Sequence, residues 1–335
     1  MSVRRQVALE AGVSEATVSH VINKSKYVSP ELERRVRDAI KKYDYHPSTI
    51  ARSMVTKRSN HLAMLVNDLK NPRYAAIAEA MQKAAANYGY IVSIIDFNSF
   101  EMDNNQVMDL ISRNIDGIFV ATYTDDLKPA LDKAMRSGIK VISAVKEFGI
   151  VLNTDYSVSL KEMMKDLKSL GHERIAYISG YSVKESQHSK FEAFKEELRR
   201  NQMAEDEILI VDGKAPYRAD FKAGYDGAKE LLKRNAGMTA IFTVNDLAAI
   251  GAITALKEEG LKVPEDISVV GCDNIDLAQY MNPPLATLDV PKEKMGYAAM
   301  DMLLRLMRKE PCDDMWIPSS YIRRESVGAA KKESV

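Results

Sequence analysis

From residue 61 onward, short apolar runs alternate with amphipathic stretches of about ten to fifteen residues in this chain of 335 residues. This alternation is typical of βαβ units, in which parallel strands are joined by helices. Seven or more such units exceed one compact sheet, so the pattern predicts an α/β body of two doubly wound subdomains. The runs are HLAMLVN, YIVSIID, DGIFVAT, IKVISAV, RIAYISG, AIFTVN and ISVVGCD.

The chain is expected to cross between the two subdomains three times, near residues 153–158, 284–290 and 314–318. We therefore predict the following division: a headpiece at 1–45, a hinge and linker at 46–60, a first ligand-binding subdomain at 61–155 and 288–316, and a second at 156–287 and 317–330. A cleft between two doubly wound subdomains, beyond the carboxyl ends of their strands, suits a small polar ligand.

The first 45 residues have a different period, which predicts three helices. Apolar residues repeat at helical spacing at Val3, Val7, Ala8 and Ala11. Gly12 then ends the first helix, and Ser14 stands at the N-cap of the second. Ser29 and Pro30 begin a third helix. Helix, glycine turn, helix and supporting helix form a helix-turn-helix unit, which is typical of DNA binding and also occurs in protein docking.

The charge is divided along the chain although the total is zero. Residues 1–58 carry twelve lysines and arginines against six acidic residues, which leaves 35 basic and 41 acidic residues in the remainder. A basic headpiece on an acidic body favours a polyanion-binding module joined to a separate domain. A solvated charged surface would give the same count.

The sequence contains no enzyme, metal or membrane signature. No two of its sixteen glycines lie two residues apart, so a GxGxxG dinucleotide loop is excluded, and Walker A, GxSxG and HExxH motifs are absent. Cys272 and Cys312 have no zinc spacing, and their small number favours buried thiols in a reducing compartment. No signal peptide or spanning segment is present, so we expect a cytoplasmic, non-enzymatic protein without cofactor or metal.

Several segments resemble the LacI/GalR family of bacterial transcription repressors, in the order that the family shows. They are VALEAGVSEATVSHVIN, VSPELERRVRDAIKKYDYHPSTIARSM, NPRYAAIAEAMQKAAANYGY, SLGHERIAYISG, FTVNDLAAIGAITALKEEGLKVPEDISVVGCDN and PPLATLDVPKEKMGYAAMDMLL. The resemblance implies a sequence-specific DNA-binding regulator, expected to be a repressor, with a body like that of a periplasmic binding protein.

The resemblance also implies roles for residues of the second helix. Glu15, Ala16 and His20 match positions that read base edges in the major groove. A second set matches positions that hold the DNA backbone, namely Thr17, Ser19 and Asn23. His20 stands where many members have arginine, so we expect a different operator preference.

The stretch HPSTIARSMVTKRSN, residues 46–60, is similar to the hinge of the family. The resemblance implies that this hinge forms a helix on operator DNA, where paired hinges enter the minor groove. Met54 matches the leucine that opens the central base step, and Ser48 and Ala51 lie on the same expected helix. A plain linker remains the alternative.

Candidate ligand residues follow the predicted strands. Asn71 and Tyr74 come after the first strand of the body, Asn245 and Asp246 follow AIFTV, and Asp273 follows SVVG. Carboxylates and amides suit polyhydroxylated or amine-bearing ligands, although each residue could also be a helix cap, Asp246 in particular. Lys190 matches a ligand-binding arginine of the family and keeps its positive charge.

The resemblance implies three partners: double-stranded operator DNA, a second copy of the chain, and a small metabolite such as a sugar, sugar phosphate or nucleobase. Inducer and corepressor remain open, and a dimer is favoured over a tetramer. Some relatives also bind a phosphocarrier protein. The apolar stripe of KEKMGYAAMDMLLRLM is either dimer interface or core. The rival function is a solute-binding protein of a transport system, which would need an export signal and no basic headpiece.

Overall fold

The computed structural model describes residues 1–23, 25–45, 58–97, 115–123, 127–181, 189–213 and 219–331. The chain forms two compact units, Met1–Asn60 and His61–Val335, which we call the headpiece and the body. Among the described residues, no helix is both long and apolar enough to cross a membrane. Within the same ranges, no three His, Cys, Asp or Glu side chains are grouped to hold a metal ion.

The headpiece contains the three helices that the sequence predicts: α1 Val3–Ala11, α2 Glu15–Asn23 and α3 Pro30–Lys42. Each begins at a serine whose hydroxyl accepts a hydrogen bond from a backbone amide of the first turn, which satisfies one of the free N–H groups there. Their apolar faces meet in one small core formed by Val7, Ala8, Ala11, Val18, Val21, Val36 and Ala39.

The body contains two six-stranded sheets, so the predicted fold class is confirmed. The first sheet has the order β11-β5-β4-β3-β1-β2, and its strands are β1 His61–Val66, β2 Ile91–Asp96, β3 Gly117–Val120, β4 Lys140–Ser143, β5 Ile150–Asp155 and β11 Met315–Pro318. All its pairs are parallel. Its central strands are buried on both faces, which explains why they are continuous apolar runs.

The second sheet has the order β12-β10-β9-β8-β6-β7. Only its edge pair, β10 with β12, is antiparallel. Its strands are β6 Ile175–Ile178, β7 Ile210–Val211, β8 Ala240–Thr243, β9 Ser268–Asp273, β10 Ala286–Asp289 and β12 Ser320–Ile322. We call the two sheets with their helices the first and second lobes. All seven apolar runs quoted above form strands.

The helices of the body connect the strands and cover the sheets. They are α4 Pro72–Ala86, α5 Lys128–Arg136, α6 Ser157–Ser169, α7 Ser189–Arg200, α8 Phe221–Lys233, α9 Asp246–Glu258, α10 Asp276–Tyr280 and α11 Lys292–Arg308. Parallel strands need crossover connections, and α9, for example, connects β8 with its parallel neighbour β9. The carboxyl ends of the parallel strands therefore meet at one edge of each sheet.

The chain changes sheets after Asp155, after Asp289 and at Ser319. Ser319 fixes the last crossing, because its hydroxyl donates to the Asp155 carbonyl at 2.9 Å and shares a 2.7 Å hydrogen bond with Ser159. The boundaries expected at 287/288 and 316/317 fall inside strands β10 and β11. The sequence could not place these boundaries more closely, because an apolar run does not reveal which sheet it joins. The domain boundaries stay predictions.

The apolar stripe of α11, which the sequence left open between interface and core, belongs to the core of the first lobe. Met295, Ala299, Met302 and Leu303 are at most 2% exposed. The helix packs closely on α4, since a Cβ on Gly296 would clash with the Ile77 carbonyl oxygen. The stripe therefore does not locate a dimer interface.

Candidate functional site

The headpiece presents α2 after a tight turn. Gly12 has φ +64°, a left-handed conformation that favours glycine, and its amide closes α1 on the carbonyls of Ala8 and Leu9. Ser14 then caps α2, because its hydroxyl accepts from the Thr17 amide at 3.1 Å. The turn thus fixes the direction of α2, whose inner face is buried through Val18 and Val21.

The opposite face of α2 carries the residues predicted to contact DNA, and none of them is buried: Glu15, Ala16, Thr17, Ser19, His20 and Asn23. Most make only local hydrogen bonds. Asn23 Nδ2 donates to Ser19 Oγ at 3.2 Å, and the Thr17 and Ser14 hydroxyls share a bond of 2.9 Å. Arg4 of α1 donates to the Glu15 carbonyl at 2.8 Å. Another molecule can therefore contact this face without disturbing the buried core of the headpiece.

The ring of His20 is oriented by a residue that the sequence did not single out. His20 Nδ1 shares a 2.9 Å hydrogen bond with Ser25 Oγ, just after the end of α2. The serine hydroxyl can donate or accept, so this bond holds the orientation of the ring and leaves Nε2 on its other side. A serine five positions after a histidine in a turn is too common a pattern to signal this.

The predicted hinge residues Ser48, Ala51 and Met54 lie outside the described residues, as does most of the 46–60 segment. Their expected DNA contacts stay predictions.

In the body, polar side chains of the two lobes meet beyond the carboxyl ends of the strands. Asn67, directly after β1, accepts from the Tyr74 hydroxyl at 2.8 Å and donates to the Tyr181 hydroxyl of the second lobe. Asn71 caps α4 and donates through Nδ2 to Asp273 Oδ2 at 3.0 Å. We call the group that lies here the cleft cluster: Asn67, Asn71, Arg73, Tyr74, Tyr156, Tyr181, Lys190 and Asp273.

Arg73 is not among the residues expected from the sequence, and its guanidinium crosses between the lobes. Its side chain is 14% exposed. Nη1 donates a hydrogen bond to Asp273 Oδ1 at 3.3 Å, and the two groups form an ion pair between the lobes. The guanidinium also lies over the ring of Tyr74, 5.6 Å from its centroid. A signal was present, because a cation in the first turn of a helix opposes the helix dipole and needs another partner.

Asp273 is 1% exposed and lies at the carboxyl end of β9. Its φ is +112°, an uncommon conformation for a residue with a side chain, and Asn274 follows at +50°. Lys292 supports this bend by donating to the Asp273 carbonyl at 2.6 Å. The strained backbone aims the carboxylate at Asn71 and Arg73 of the first lobe.

Lys190 lies at the start of α7, where the sequence expects a cationic ligand contact. Its ammonium donates to the carbonyl of Val244 and lies 5.1 Å from the ring centroid of Tyr156. Tyr74 completes the cluster, and burial raises the pKa of its phenol, so the hydroxyl stays protonated as the donor to Asn67.

Asn245 and Asp246 differ in role although they are adjacent. Asn245 caps α9 by accepting from the Ala248 amide at 2.9 Å, and its Nδ2 donates to the Ala219 carbonyl at 2.6 Å. Asp246 is fully buried within the second lobe. Its carboxylate accepts from the Thr287 hydroxyl at 2.6 Å and from the Ile275 amide at 2.8 Å. Asp246 thus ties α9 to β10 and α10, not to the first lobe.

The family models match both units of the chain. The model for bacterial regulatory proteins of the lacI family matches residues 5–48, and the periplasmic binding protein-like domain matches residues 164–327. The HTH-type transcriptional repressor PurR of Haemophilus influenzae (strain PittEE) is 32% identical over 319 residues, 92% of this chain and 93% of that protein. The chain belongs to the LacI family.

Solved structures agree with this LacI-family membership. The lac repressor dimer bound to operator and the anti-inducer ONPF has a TM-score of 0.81 at 25% identity, over 96% of this chain and 98% of that chain. The complex of the transcriptional regulator CelR with cellobiose has a TM-score of 0.70 at 27% identity, over 96% and 99% of the two chains.

The predicted function class is therefore confirmed: this LacI-family chain is a DNA-binding transcriptional regulator with a small-molecule effector. Its relatives are regulators and not enzymes. The comparisons give no support to a transport protein or to a phosphocarrier partner, so neither is carried further.

Proposed function

We propose that this LacI-family regulator is a cytoplasmic repressor that binds a pseudo-palindromic operator as a homodimer, with its affinity controlled by a metabolite in the cleft cluster. The observation that supports this most is the presence, in one chain, of an exposed polar helix after a glycine turn and a buried polar cluster between two lobes. We propose no catalytic role.

In the headpiece, the proposed base readers are Glu15, Ala16 and His20, on the exposed face of α2. Thr17, Ser19 and Asn23 are the proposed backbone contacts, because short hydroxyl and amide side chains donate well to phosphates. A dimer would place two such helices in successive major grooves, which explains why a pseudo-palindrome is expected. Ser48, Ala51 and Met54 of the hinge are proposed to enter the minor groove between them.

In the body, the proposed effector contacts are Asn71, Tyr74, Lys190, Asn245 and Asp273. Four of them lie in the cleft cluster, and Asn245 follows the neighbouring strand β8. Asp246, the sixth predicted contact, has neutral donors on both carboxylate oxygens within the second lobe, so we propose a structural role for it. A sugar, sugar phosphate or nucleobase would match the amide, hydroxyl and charged groups available.

The cleft cluster also supports a mechanism for control. The pairs Asn71 with Asp273 and Asn67 with Tyr181 join the lobes directly, so a ligand that competes for these groups changes the angle between the lobes. If this angle sets the spacing of the paired hinges, effector binding changes the affinity for the operator. The size of that change is the coupling free energy between the two sites. Inducer and corepressor both fit such a scheme.

The experiment that tests this function is the recovery of bound fragments from sheared genomic DNA of the source organism at moderate salt, followed by sequencing. We expect enrichment of a short pseudo-palindrome, with or without a pool of sugars, nucleobases and sugar phosphates. The His20→Ala variant serves as a control, because it should shift the enriched sequence. Equal recovery of all fragments under both conditions would contradict a sequence-specific regulator.

A further inference from the structure

Arg73 occupies an unfavourable position for a cation, which calls for a compensating partner. It is the second residue of α4, where the positive end of the helix dipole repels its charge, and it is only 14% exposed. The Asp273 carboxylate accepts a hydrogen bond from one N–H group of Arg73. The buried Nε has no hydrogen-bond partner among the described residues. A buried guanidinium nitrogen without an acceptor is costly unless a ligand supplies one.

Lys190 brings a second positive charge to the same cluster. Its ammonium is bonded to the Val244 carbonyl and packed on the Tyr156 ring, and among the described residues it has no carboxylate within ion-pair distance. Backbone and ring contacts orient the ammonium, but they do not neutralise it.

The cleft cluster holds one carboxylate, that of Asp273, against these two cations. Asp273 forms its ion pair with Arg73, and Asp246 is bonded to neutral donors, with burial raising the pKa of Asp246 to about 7. A third cation, Lys292, is already paired with Asp289 at 3.3 Å. Asp68, after β1, accepts from the Lys70 amide at 2.8 Å. Within the described part of the chain, the cluster therefore holds one more positive charge than negative.

Resting on the function proposed above, we infer that the effector carries an anionic group, a carboxylate or a phosphate, which Arg73 binds across the cleft. Guanidinium is the side chain best suited to such oxygens, because its N–H groups form parallel charge-assisted bonds. The buried Nε lies on a different edge of the guanidinium from the Nη1 that donates to Asp273. Asp273 keeps acceptor capacity for hydroxyl groups of the same ligand. The ligand class is thus a polyhydroxylated acid or a sugar phosphate.

The test is a binding panel on the full-length protein, read by thermal shift and then by calorimetry. The probes are matched sets: glucose with glucuronate and glucose 6-phosphate, galactose with galacturonate and galactose 6-phosphate, and ribose with ribose 5-phosphate. We expect the best ligand to be anionic and to bind at least about tenfold more tightly than its neutral parent. Comparison of the sugar acids with the sugar phosphates shows whether a carboxylate or a phosphate is recognised.

Arg73→Gln should remove that preference, leaving the neutral parent and the anion within about threefold of each other. Arg199→Gln is the matched control, because Arg199 is an exposed arginine paired with Glu205 on the second lobe, and it should keep the preference. Neutral parents that bind as well as their anions, a panel in which no anion binds, or an unchanged preference in Arg73→Gln would each overturn the inference. Operator recovery by the same proteins tests the regulator function separately.

Discussion

The polar side chains of the headpiece and of the cleft are held in opposite ways. On α2, His20 and Asn23 are not buried, and their partners lie five and four positions away along the chain. In the cleft, Asn71 is buried, and its partner Asp273 lies 202 positions away in the other lobe. Local pairs leave a surface ready to bind without changing the fold. Distant pairs make the arrangement of the lobes depend on the same atoms that a ligand would contact.

The largest effect is expected from Asp246→Asn, which tests whether buried polar residues of the body support the fold. Burial raises the pKa of Asp246 to about 7 when folded, whereas an unfolded carboxyl titrates near its ordinary value of about 4. At a pH between these two pKa values, Asp246 is protonated in the folded state and has lost its proton in the unfolded state. Wild-type stability should therefore fall by about 1.4 kcal/mol per pH unit relative to the variant as the pH rises through this window.

Chemical denaturation of both full-length proteins from about pH 4 to pH 8 checks this expectation. Thr287→Val, which removes the neutral donor to Asp246 and keeps the carboxyl, is the matched control and should retain the pH dependence. Parallel stability curves for wild type and Asp246→Asn would contradict the raised pKa.

A smaller effect, on operator affinity, is expected from Met54→Gly. This variant tests whether the hinge contacts the DNA and opens a base step. If Met54 opens a base step, its removal should weaken operator binding by about tenfold and binding to random DNA far less. Fluorescence anisotropy with operator and random duplexes measures both affinities. An unchanged ratio of the two would favour the plain linker.

His20→Ala should change base preference by about 1 kcal/mol at one base pair while leaving salt-dependent binding to random DNA intact. Asn23→Ala is the contrasting variant, because loss of a phosphate contact should weaken all sequences alike. Competition assays on operators with single base changes separate the two patterns. Uniform weakening by His20→Ala would place His20 among the phosphate contacts.

The smallest effect on operator binding is expected from Ser25→Ala, since we expect Ser25 to orient the His20 ring without contacting DNA. We expect about twofold weaker operator binding, from the loss of one exposed hydrogen bond. In the His20→Ala background the second substitution should add nothing. An additive loss would show that Ser25 contacts DNA independently of His20.

The same contrast explains what the sequence could predict. Helix caps, the Gly12 turn and the exposed face of α2 follow from spacing within a few residues, and apolar runs identify the buried strands. Arg73 and Ser25 were missed, because the role of each depends on a partner that spacing does not reveal. The assignment of Asp246 as a ligand contact rested on its place after a strand. Its carboxylate accepts from the Thr287 hydroxyl, 41 positions away, and spacing does not reveal this contact.

We propose that groups of the cleft cluster control the DNA affinity of the headpiece. Operator titrations of wild type and Asp273→Ala, with and without the panel compound that binds wild type best, test it most directly. We expect the compound to change the wild-type operator Kd by about fivefold or more and to leave the operator Kd of the variant unchanged. An equal response in both proteins would contradict control through this cleft.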